Sequence, residues 1–66
     1  MNRKQLGDNI RIIRKARELS QKKLADLMGY KAHSTLAKVE TGVNDITVET
    51  LYKYADKLEV DVQTHF

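Results

Sequence analysis

The 66-residue sequence predicts an all-α domain of four to five helices that ends in a short β-strand. Three observations carry this. Apolar residues recur at helical spacing almost throughout the chain. Residues that cap helix starts, Ser20 and Thr47, stand ahead of apolar stripes, and glycines that stop helices, Gly29 and Gly42, stand behind them. In the last stretch the apolar period drops to two.

The elements follow in order. Leu6, Ile10, Ile13 and the stem of Arg17 lie at i, i+4, i+7 and i+11, which makes residues 3–18 an amphipathic helix. Asn2 and Gln5, three apart, suit a capping box at its start. Ser20 caps a short helix over 21–28 with Leu24, Leu27 and Met28 on one face, and Gly29 ends it. Leu36 and Val39 mark a third helix over 33–40, which Gly42 ends. Thr47 caps a helix over 47–58 whose apolar face is Val48, Leu51, Ala55 and Leu58, with Glu49 at its positive end. Tyr52 and Tyr54 are two apart on that helix, so at least one faces away from the core. Val60, Val62, Thr64 and Phe66 then alternate with Asp61, Gln63 and His65, the spacing of a strand. A lone strand leaves its edge unpaired, so it is either frayed or paired with something outside this fold. The expected organisation is a helical domain over 1–60 and a dimerisation strand over 61–66, with Val60, Val62 and Phe66 at the contact.

Composition sets the outer bounds. The chain is 41% hydrophobic and 32% charged and has no cysteine, so it holds no disulfide and no thiolate metal site. No apolar run approaches the ~18 residues of a membrane span, and the first residues lack an apolar signal core. A soluble cytoplasmic protein is the expectation. A chain this short buries ~60% of its unfolded surface, so a second subunit would help and a deep catalytic cleft has little room. His33 and His65 fall in different elements, with no carboxylates at ligand spacing, and no phosphate-cradling glycine loop is present. No enzyme, no metal and no cofactor is expected.

Charge is divided unevenly. The net charge is +3, yet residues 1–40 carry ten Lys/Arg against four Asp/Glu, while residues 41–66 carry two against five. A basic part joined to an acidic part suits either a polyanion-facing surface on the first or a solvated basic helix. Two short helices joined by a tight glycine turn, with small Ala25 where the helices must approach closely, form the pattern of a helix-turn-helix.

On these residues the sequence resembles the phage repressor/Cro (Xre) family. The resemblance rests on Ile10-Arg11-Ile12-Ile13-Arg14, Leu19-Ser20-Gln21, Leu24-Ala25, Gly29, and Ser34 through Gly42. Thr47-Val48-Glu49-Thr50-Leu51 and Ala55 through Val60 complete it. It implies a lambda-repressor-like fold and a sequence-specific regulator of transcription, expected to be a dimeric repressor on a palindromic operator in double-stranded DNA. It further implies that His33, Ser34, Thr35 and Lys38 face the bases. Gln21 at the start of its helix, with Lys22, Lys31, Gly42 and Asn44, would contact phosphates. Arg14 and Glu40 would form a structural ion pair. The sequence departs from the family pattern in three places. One extra residue lies between Gly29 and Glu40, Ile46 stands where proline is usual, and the loop 41–44 has no Lys or Arg. The Leu58–Phe66 ending resembles HipB-like antitoxins, where a strand pairs across a two-fold axis. Restriction–modification controller proteins share the Leu-Glu-Val stretch and continue into a helix. The alternative function is a protein-interaction module, such as an antitoxin or adaptor that holds a partner protein, for example a toxin, through the C-terminal strand or the acidic half, or a controller protein.

Overall fold

The structure, a computed structural model, describes residues 2–66. Met1, with which the expected domain span opens, lies outside the described residues. Among the described residues five helices follow one another: α1 (Arg3–Ala16), α2 (Gln21–Met28), α3 (His33–Glu40), α4 (Val48–Leu58) and α5 (Val62–His65).

Each start is built by the residue beside it. Asn2 accepts the Gln5 N–H at 2.8 Å while the Gln5 side chain accepts the Asn2 N–H at 3.1 Å, a reciprocal capping box. Ser20 Oγ accepts the Lys23 N–H at 3.0 Å and Thr47 Oγ1 the Thr50 N–H at 3.1 Å. Gly29, at φ +81°, turns the chain out of α2 in the left-handed conformation that glycine adopts without steric cost. α1 stops at Ala16, two residues short of the expected end, because Glu18 takes a left-handed conformation at φ 59°.

The core is Ile10, Leu24, Ala25, Met28, Leu36, Val39, Tyr54, Ala55 and Leu58. Helix α3 packs on α1 and α2, α4 packs on α1 and α2, and α5 rests on α4. Three expected core members lie elsewhere. Arg17 is exposed, and its guanidinium reaches the Glu59 carbonyl at 2.9 Å instead of flanking the apolar face. Leu27 and Val48 are 38% and 70% exposed, and Tyr54 takes the inward place on α4. Tyr54 is fully buried while Tyr52 faces solvent.

The C-terminal strand does not form. Residues Val62–His65 make a helical turn that Asp61 caps by accepting the Gln63 N–H at 3.0 Å. Val60 and Phe66, expected at a strand-paired dimer contact, pack against the core of their own chain, and Val62 is half-buried. An isolated strand has no ladder to join here, whereas one helical turn satisfies its backbone locally and leaves the apolar side chains to cover the core.

Candidate nucleic-acid interface

The region is organised by the end of α3. Arg14 Nε donates to Glu40 Oε2 at 2.6 Å and Nη2 to Oε1 at 3.1 Å, a two-pronged pair with both side chains more than nine-tenths buried. Arg14 Nη1 also donates to the Leu19 carbonyl at 2.8 Å. Buried charges are tolerated when paired and hydrogen-bonded on every side, and among the described residues no buried side-chain polar atom lacks a partner. The pair ties α1, the residue ahead of the α2 cap, and the last turn of α3 into one frame.

Gln21 joins that frame. Its amide nitrogen donates to Glu40 Oε1 at 3.1 Å, so the first residue of α2 is held against the last residue of α3. The side chain is half-buried, and its carboxamide retains a second N–H. It borders a shallow concavity lined by Lys4, Asp8, Arg11, Gln21, Glu40 and Thr41, where α1, α2 and α3 converge. A backbone reason brings α1 so close. A Cβ on Gly7 would collide with the Val39 carbonyl oxygen and stand 2.7 Å from the Glu40 carbonyl oxygen. That requirement is not visible in the residue spacing around Gly7; burial of a glycine inside an amphipathic helix is the signal that points to it.

The outward face of α3 carries the base-reading candidates. His33, Ser34 and Lys38 are exposed, and Ser34 and Lys38 lie one turn apart on one stripe. Thr35 is half-buried, between that stripe and the core residues Leu36 and Val39. Lys31 is exposed in the turn and Lys22 is exposed at the start of α2. Lys22 Nζ lies 3.4 Å from Asp26 in a solvent-facing i, i+4 pair, an interaction weak enough to yield to a phosphate. Ala32 starts α3 with no side-chain cap.

The backbone N–H groups of the loop behind α3 are engaged within the turn. The N–H of Gly42 donates to the Val39 carbonyl at 3.1 Å, and those of Val43 and Asn44 to the Lys38 carbonyl at 2.9 and 3.1 Å. These donors close the end of α3, Gly42 serves the turn at φ +79°, and Asn44 is exposed.

The turn between α2 and α3 is held from α4. Tyr54, fully buried, places its hydroxyl 2.8 Å from the Tyr30 hydroxyl, with the rings edge-to-face at 6.4 Å. Burial, and then the hydrogen bond with Tyr30, push the Tyr54 hydroxyl well above the usual tyrosine range. Lys53 Nζ donates to the Met28 carbonyl at 2.8 Å, at the end of α2. The tyrosine pair escapes a reading by spacing because Val48, Leu51, Ala55 and Leu58 account for an apolar face without Tyr54. The fuller stripe 51, 54, 55, 58 was the available signal.

Among the described residues no three His, Cys, Asp or Glu side chains gather at a possible metal site, and no helix is long and apolar enough to cross a membrane.

Two short helices crossing through a glycine turn, the second with an exposed polar face and a pinned end, define a helix-turn-helix DNA-binding domain. A family model described as helix-turn-helix matches residues 10–64, and the chain belongs to this Cro/C1-type helix-turn-helix family of DNA-binding transcription regulators. Comparison with curated proteins finds no match.

Proposed function

We propose that the protein represses transcription by reading a specific palindromic site, with α3 of each of two copies in the major groove. The observation that carries this reading is the exposed His33, Ser34 and Lys38 on a helix whose far end is pinned by the Arg14–Glu40–Gln21 network. Lys38 suits guanine O6 or N7, and Ser34 suits a base edge or a phosphate. Thr35 contributes from the margin of the stripe. Gln21, Lys22, Lys31 and Asn44 supply phosphate contacts, and Arg11, Lys15 and Lys23 add positive charge.

Two recognition helices would sit about one DNA turn apart, ~34 Å. The two-copy form is supported by Val48 and Tyr52, exposed by 70% and 56% and one turn apart on α4. Selection of binding sites from random duplexes, followed by gel shifts at two salt concentrations, tests the reading. It predicts a two-fold symmetric site and affinity that falls steeply with salt. Failure to enrich any site sinks it.

The interaction-module alternative, with a toxin as partner, loses the C-terminal strand to the helical ending and keeps the acidic residues of 41–66 as its ground. A restriction–modification controller is the second reading, favoured by the helical turn that follows Leu58-Glu59-Val60. A neighbouring open reading frame for a restriction enzyme would distinguish it.

A further inference from the structure

The extra residue in the α2–α3 turn raises a mechanical question. The segment from Gly29 to Ala32 delivers the N-terminal end of α3, the end from which such helices contact bases. Yet that end has little of its own to hold it. Ala32 provides no side-chain cap, and Lys31, His33 and Ser34 are exposed. Leu36, Val39 and Glu40 anchor the middle and far end of α3, not its start.

What holds the turn comes from α4. The backbone of Tyr30 is tied to α2 through its N–H to the Ala25 carbonyl at 2.9 Å. Its side chain is then tied at the hydroxyl to Tyr54, which is immobilised by complete burial. Beside this, Lys53 donates to the Met28 carbonyl, one of the α2 carbonyls that lack a partner within the helix, with its positive charge at the negative end of α2. Two consecutive residues of α4 thus grip the turn at two points, immediately before its freest residues.

We propose that Tyr54 and Lys53 are positioning residues for the DNA-reading end of α3, acting through the Tyr30 hydroxyl and the Met28 carbonyl. Neither touches DNA in this arrangement. Their work is to hold Lys31, His33 and Ser34 in one approach to the groove, so removing a tether loosens base discrimination while the charge-driven part of binding persists. The inference rests on the DNA-reading proposal above and concerns how its reading end is oriented.

The test uses Tyr30→Phe and Tyr54→Phe, which delete one hydroxyl each and keep the rings, and Lys53→Met, which lifts the second tether. For each variant, affinity for the selected site and for an unrelated duplex is measured at one salt concentration. Backbone amide shifts and hydrogen exchange are recorded without DNA. The ratio of specific to unrelated affinity should fall about 3- to 10-fold for either tyrosine variant, the span of one net hydrogen bond. The double tyrosine variant should fall no further, because both changes remove the same contact. Binding to the unrelated duplex should hold for the tyrosine variants, and amide changes should concentrate at residues 30–35.

An unchanged ratio in the tyrosine variants overturns the inference while leaving the DNA reading intact. So does a parallel loss on both duplexes that tracks the unfolded fraction, since that is a merely structural role. A parent protein that selects no site overturns the DNA reading, and this inference with it.

Discussion

Replacing Gly7 by alanine sets two effects of opposite sign against each other. Within an isolated helix the change is favourable by about 1 kcal/mol, because alanine is the better helix former. In this fold the new Cβ meets the Val39 and Glu40 carbonyls, which are backbone atoms of a pinned helix end and cannot rotate away. Overpacking of this kind costs about 1–3 kcal/mol, and a rigid neighbour places the cost near the upper end. The net expectation is destabilisation by about 2 kcal/mol. Against the roughly 3–10 kcal/mol that a 66-residue domain holds in total, that is a large fraction. At about 4–8 °C per kcal/mol for a domain of this size, the melting temperature should fall by about 8–16 °C. Thermal denaturation followed by circular dichroism reads this directly. A variant that melts at or above the parent temperature would show that α1 does not approach α3 at Gly7, and would refute the frame built on it.

Other expectations follow from the same geometry. Arg14→Met alone should cost about 3–5 kcal/mol in denaturant unfolding, because Glu40 is left buried without its partner, whereas Arg14→Met with Glu40→Leu should recover much of that loss; equal losses would show that the pair is not desolvated. Tyr54 resists ionisation when folded and ionises at ~10 when unfolded, so above that pH the unfolded state binds fewer protons and stability declines. Its contribution is complete below pH ~10, and the slope above it should be shallower in Tyr54→Phe; identical alkaline slopes would contradict the burial. Glu59 sits at φ 59° outside glycine, so Glu59→Gly should stabilise by about 1 kcal/mol in the same unfolding assay, with the carbonyl contact from Arg17 kept.

Three of the four longer helices were legible because spacing and caps agreed, and α3 from the spacing of Leu36 and Val39 and the glycine behind it. Ser20 and Thr47 cap as their residue types suggest, and α2 and α3 run over the expected 21–28 and 33–40. The C-terminal residues were not legible, for a definable reason. Val62 and Phe66 are two steps apart in an alternating pattern and also four apart, so they fit one turn of helix as well as a strand. A six-residue stretch cannot separate these periods, and the choice was made by the core, which takes Val60 and Phe66 as cover. The interface shows the same division. Exposure of His33, Ser34 and Lys38 follows from their placement opposite Leu36 and Val39. The bond from Gln21 to Glu40, and the closure of α3 by the N–H groups of residues 42–44, depend on tertiary approach and backbone geometry that spacing does not encode.

The proposal that the outer face of α3 reads base edges stands or falls with Lys38→Ala. Its affinity should be measured, beside that of the parent protein, across a set of selected sites that each carry one base-pair change. A base-reading Lys38 predicts that the variant loses discrimination at one or two positions, by about 1–3 kcal/mol per lost contact, and keeps it elsewhere. A uniform loss across the whole set, with every preference retained, would mark Lys38 as a phosphate contact and contradict the account.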